Sequence, residues 1–134
     1  MSVIFVARSV KLSRWASDVG LGKHVYKVGV TDDDPKQLAT AGWAGETDWT
    51  VVKQEPIEGI DETAAIERLI AKEKMIEPRL YPKLKGTLGV FRLTETRVEN
   101  HLIVSRALAG DSDKTSLKLK PADYAAYLIH HVRR

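Results

Sequence analysis

Residues Val3 to Ala7 are apolar without a break. So short and uniform a run fits a strand buried on both faces. A second strand follows at His24 to Thr31, where alternation puts Tyr26, Val28 and Val30 on one face and Val25, Lys27, Gly29 and Thr31 on the other. Neighbouring strands of this kind require a sheet. A face that carries both a lysine and a glycine leaves room for a backbone or a ligand to come close.

The remaining chain supplies helices around that sheet. Val10 to Val19 has apolar residues at 12, 15, 16 and 19, a helical spacing, and Gly20-Leu21-Gly22 ends it. Asp32-Asp33-Asp34-Pro35 opens a short helix, since acidic side chains and proline both suit a first turn, and Gly42 and Gly45 follow it. Trp49 to Gln54 reads as a third strand. Asp61 can cap a helix running from about Glu62 to Glu77, with Pro78 as its stop and Ile66, Leu69, Ile70 and Ile76 as its apolar stripe. Glu73 falls inside that stripe, so it is expected at a frayed end or beside a basic partner. Leu88 to Leu93 is a short fourth strand. Thr94 caps a helix carrying Val98, Leu102 and Ile103, which ends near Gly110. The stretch 111–120 is polar. Pro121 starts a last helix with Ala125, Leu128, Ile129 and Val132 on one side.

This order predicts an α+β fold: a small mixed or antiparallel sheet of three to four strands, flanked by helices. The expected organisation is a domain over 1–110, then a polar linker and C-terminal amphipathic helix over 111–134. The chain has 134 residues, enough for one core without staples. It has no cysteine, which removes disulfides, thiol catalysis and Cys-based zinc sites and fits a reducing, cytoplasmic setting. No apolar run approaches the roughly 18 residues of a membrane span, so no membrane partner is expected. The net charge of +3 is mildly basic and permits a nucleic-acid partner. There is no Walker-type phosphate loop, no dinucleotide fingerprint and no nucleophile elbow. His130 and His131 are adjacent, so on a helix they diverge by about 100° and read as a surface pair. Trp15, Trp43 and Trp49 read as core anchors, and Tyr26 as core.

Several segments together resemble the GIY-YIG endonuclease superfamily, in its phage-type branch. Val3-Ile4-Phe5 sits where a Gly-Ile-Tyr triplet would, and Lys27-Val28-Gly29-Val30-Thr31 resembles a Tyr-Ile-Gly-x-Thr segment with Lys before Ile-Gly. Ala65 to Lys72, then Glu77-Pro78-Arg79, resembles the family helix and the turn after it. Gly89-Val90-Phe91 resembles the strand that follows. The resemblance covers about residues 2 to 93.

It implies a nucleic-acid partner, expected to be DNA, and hydrolysis of one phosphodiester with a single Mg²⁺ or Mn²⁺ ion held by a helical glutamate. Glu67 matches that metal ligand. Lys27 and Lys36 are the candidate catalytic cations, neutralising charge on the phosphate. Phe5 stands where the family has its first tyrosine and Lys27 where it has its second. No arginine lies between Asp32 and Thr40, where the family's should fall. Arg79, Tyr81, Lys83 and Lys85 form a basic, aromatic-bearing loop that could track a phosphate backbone. The alternatives are a non-catalytic nucleic-acid-binding module, or a protein-interaction module using the C-terminal helix, on the same scaffold.

Overall fold

The backbone of the first strand turns directly into a helix at Ser9, whose hydroxyl accepts the Leu12 N–H at 3.1 Å. In a computed structural model, residues 2–108 and 119–133 are described. They form β1 (Ser2–Ser9), α1 (Val10–Asp18), β2 (Val25–Thr31), α2 (Pro35–Ala41), β3 (Trp49–Ile57), α3 (Glu62–Ile70), β4 (Lys74–Met75), β5 (Val90–Arg92), α4 (Glu95–Leu108) and α5 (Pro121–Arg133). The expected caps are present. Asp34 accepts the Lys36 N–H at 3.0 Å ahead of Pro35, and Asp61 accepts the Ala64 N–H at 2.8 Å. Both satisfy first-turn donors that have no intrahelical partner.

The sheet is antiparallel at every pairing, in the order β3-β1-β2-β5-β4. The predicted α+β architecture is therefore present, with five strands. β1 and β2 pair so that Phe5 lies opposite Gly29 and Ala7 opposite Lys27. Ile4 to Ala7 are fully buried because both faces of the sheet are covered. On one face Ile4, Val6, Tyr26, Val28 and Phe91 pack under Ala65, Ile66 and Leu69 of α3, Val98 of α4 and the apolar side of α5. On the other, Phe5, Ala7, Val25 and Val90 meet Leu12 and Ala16 of α1, Ala39 of α2, Trp49 and Leu84. Tyr26 is core as expected, stacked on Tyr124 at 5.4 Å, and burial pushes its phenol up to about 12.

Two expectations need correction. The helix predicted over Glu62 to Glu77 stops at Ile70. Beyond it the Lys72 and Glu73 N–H groups both turn back to Leu69 O, and the Ile76 N–H bonds to Val90 O at 2.8 Å. Pairing with β5 thus captures a segment that reads locally as helix, and tertiary context overrides propensity. Ile70 is left 49% exposed, while Ile76 is buried on the other side of the sheet. In α4, likewise, Val98 is buried but Ile103 is 46% exposed.

Glu73 has the basic partner that its place in the stripe demanded. It is buried, takes a hydrogen bond from the Tyr127 hydroxyl and lies 3.6 Å from the Arg97 guanidinium. Tyr127 belongs to α5, whose Tyr124, Ala125, Leu128, Ile129 and Val132 are buried in the main core. Arg68 and Lys72 further fix its end by donating to the Val132 and His131 carbonyls at 2.7 and 3.2 Å. The last helix is therefore docked on the sheet, and its predicted apolar side is the docking face. The polar stretch predicted over 111–120 lies outside the described residues, apart from Leu119 and Lys120.

Candidate functional site

β5 accompanies β2 only from Val25 to Lys27. Beyond Lys27 the outer edge of β2 has backbone groups without a strand partner, and each needs an acceptor or a donor. Gly89 O takes the Val28 N–H at 2.8 Å. Glu62 Oε1, reaching in from the first turn of α3, takes the Val30 N–H at 3.1 Å. A side chain thus continues the ladder where the strand stops, and a carboxylate is drawn to the open end of the sheet.

Gly29 is what lets it in. A Cβ there would collide with the Phe5 ring and come within 2.7 Å of Glu62 Oε1. Gly89 has a similar role with φ +82: a Cβ there would lie 2.6 Å from Val28 O and 3.1 Å from Lys27 Nζ.

These constraints build a cleft of about 410 Å³, lined by Phe5, Lys27, Val30, Thr31, Leu38, Trp43, Glu62, Gly86, Thr87 and Leu88. Lys27 is only 4% exposed. Its Nζ donates to Val28 O at 3.0 Å, lies 3.9 Å from Glu62 Oε1 and sits 5.8 Å from the centre of the Trp43 ring. Burial lowers its pKa from the ordinary lysine value, because the charged form loses water; the Glu62 carboxylate opposes the shift without cancelling it. Glu62 itself is half exposed and faces the opening. Phe5 forms the floor and stacks on Trp43 at 5.7 Å, and Trp43 meets Trp49 edge-on at 5.2 Å.

The residues expected at the site separate into two groups. Lys27 lines the cleft, and Gly29 lies on the same strand face against the Phe5 ring and Glu62, as strand alternation implied. Glu67 does not line it. It is exposed and lies roughly 140° round α3 from Glu62, five residues away at about 100° each. Lys36 is exposed in the first turn of α2, whose Leu38 lines the cleft.

The expected basic loop is not one surface. Tyr81 turns edge-on to Trp15 at 5.8 Å, Lys83 is held by Glu46 at 2.6 Å, and Arg79 lies 3.6 Å from Glu77. Lys85 is the cation of this set nearest the cleft. It is exposed, against Gly45, and is followed by the wall residues Gly86 and Thr87. Arg8 lines a different cavity, with His24, Tyr26 and Tyr124.

Two cleft residues are not evident from the sequence. Glu62 reads there as a first-turn helix residue, and Trp43 as a core anchor. The signal for Trp43 is its place in the turn between Gly42 and Gly45, whose other residue, Ala44, is small and buried. For Glu62 the signal is its spacing of four from Ile66, which puts it on the inward side of α3.

A hard divalent cation prefers several oxygen ligands. Among the described residues no three His, Asp or Glu side chains, Glu67 included, are placed together to hold a metal. Glu62 has one oxygen engaged by Val30 and Lys27. Comparison with family models, curated proteins and solved structures finds no match to this chain.

Proposed function

We propose that this protein binds a single nucleic-acid strand at the Lys27–Trp43 cleft, as a module on a GIY-YIG-like scaffold that does not depend on a resident metal. One observation carries the reading. A half-buried tryptophan and a lysine line the same open wall, with Lys36 and Lys85 on the elements beside it. An aromatic face next to cations suits a strand whose bases stack and whose phosphates are neutralised. Stacking on such a ring contributes about 1–3 kcal/mol per base and tolerates any sequence.

The four expected contact residues contribute unequally. Lys85 contacts phosphate, while Tyr81 and Lys83 are engaged by Trp15 and Glu46, and the exposed Arg79 lies 3.6 Å from Glu77. The test is fluorescence anisotropy with short labelled single-stranded DNA and RNA between 50 and 200 mM salt. Binding should weaken steeply with salt, because each neutralised phosphate releases counterions. Trp43→Ala should weaken binding at every salt concentration. Lys36→Ala and Lys85→Ala should each reduce the salt slope by about one. No binding at the lowest salt sinks the reading.

A further inference from the structure

We propose that Lys27 is a Schiff-base lysine, whose amine condenses with the aldehyde of a base-less deoxyribose in a strand held in the cleft, with Glu62 as the proton acceptor that then breaks the strand. This rests on the single-strand reading above and assigns chemistry to the same cleft. Lys36 and Lys85 are exposed cations of the kind that contact phosphate at a surface. Lys27 is instead enclosed by Gly89, Val28 O and the Trp43 ring, and it is one of the residues lining the cleft.

Such enclosure is how a lysine becomes a nucleophile, because only the neutral amine has a free electron pair and an apolar setting favours it. Burial acts in that direction at Lys27. A carboxylate that is half exposed, 3.9 Å from the amine and fixed by the Val30 N–H, can accept a proton from the same substrate. Phe5, Leu38, Trp43 and Leu88 are apolar lining residues against which a sugar that has lost its base can pack, beside the polar Thr31, Thr87 and Glu62.

The steps balance without an oxidant or reductant. The neutral Nζ attacks C1′ of the ring-opened sugar, and a C–N bond forms as the carbonyl oxygen takes a proton. Loss of water leaves a protonated imine. Glu62 removes a proton from C2′, and the electron pair forms a C2′–C3′ double bond as the C3′–O bond breaks and the 3′ phosphate leaves. Water then hydrolyses the imine and restores the amine.

The experiment uses an end-labelled oligonucleotide with one abasic site, incubated with the full chain and sodium borohydride, which reduces an imine to a stable amine. The expected result is a covalent protein–DNA adduct that peptide mass mapping places on Lys27. Without borohydride, the strand should be cut at the abasic site. Lys27→Arg, which keeps the positive charge, should lose the adduct at least tenfold. Glu62→Gln should keep the adduct and lose the cutting. No adduct, an adduct on other lysines, or an equal yield from Lys27→Arg overturns the proposal. Mapping the adduct on the unaltered chain decides the matter even where a variant fails to fold. An intact strand of the same sequence, followed by anisotropy, separates the two readings. Binding without an adduct removes the Schiff base alone, and no binding of either strand removes both.

Discussion

Glu62 Oε1 lies 3.9 Å from Lys27 Nζ and 3.1 Å from the Val30 nitrogen, so one carboxylate oxygen serves both the end of the sheet and the buried amine. The arrangement is asymmetric. The amine is buried and the acid half exposed, so the cost of desolvation falls on Lys27.

That asymmetry predicts a stabilising substitution at the site. Lys27→Met removes the buried ammonium and leaves behind a carboxylate that water still reaches. Stability at pH 7 should rise, by up to about 2 kcal/mol in urea unfolding, while strand binding falls. The pH dependence follows from the same shift. The folded-state pKa of Lys27 is lowered from its ordinary value of 10.5. In the window between the two values the unfolded chain holds a proton that the native chain lacks, so the wild type gains stability as pH rises. The advantage of Lys27→Met should therefore shrink toward pH 10. An advantage unchanged with pH would count against a shifted lysine.

Glu62→Gln should lower the Lys27 pKa further, because the acid is the one influence that raises it. The side-chain carbonyl of glutamine can still accept the Val30 N–H, so the fold should persist. NMR titration of the Lys27 Cε and Nζ signals reads the shift directly. An unchanged pKa would mean that Glu62 does not act on Lys27, and a rise would reverse the assigned sign.

Gly29→Ala places a methyl group against the Phe5 ring and Glu62 Oε1. Overpacking of this kind costs about 1–3 kcal/mol. Chemical denaturation should show that loss, and the double variant Gly29→Ala/Phe5→Leu should recover part of it. No recovery would place the strain elsewhere.

Tyr127→Phe leaves the buried Glu73 carboxylate with Arg97 as its remaining partner. A buried acceptor that loses its donor costs about 1–3 kcal/mol. The loss should appear in thermal unfolding as one transition shifted several degrees down, because α5 is part of the main core. A separate early transition would instead mean that α5 melts on its own.

The three histidines where α4 meets α5 predict acid sensitivity. His131 lies 5.6 Å from the His101 ring and 5.4 Å from the His130 ring. Burial, then Lys72, His130, His101 and Arg97, lower its pKa from 6.5 to about 4. Here the native state resists protonation. The stability this group contributes is present above about 6.5 and is lost as pH falls toward about 4, where the unfolded chain alone is protonated. The midpoint of thermal unfolding should fall by a few degrees across that window, and His131→Gln should lose much less. Equal losses in both proteins would assign the effect to other groups.

The amino-acid sequence determined what local periodicity can carry. The alternation from Val25 to Thr31 placed Lys27 and Gly29 on one face and Tyr26 in the core, because side chains of a strand alternate whatever it pairs with. Asp34 and Asp61 marked helix starts because capping is a contact within one turn. The apolar side of α5 was legible for the same reason, as Ala125, Leu128, Ile129 and Val132 recur at helical spacing.

Tertiary structure decided the rest. A helical wheel puts Glu62 on the inward side of α3, but that it meets the lysine depends on where β5 stops beside β2 and leaves the Val30 N–H to be satisfied. α3 ends at Ile70 because Ile76 finds an acceptor in Val90. Lys83 and Tyr81 are engaged by Glu46 and Trp15, which are distant in the chain. In each case a group's partner comes from another element, so the outcome is fixed by long-range packing and hydrogen bonding rather than by its neighbours in the chain.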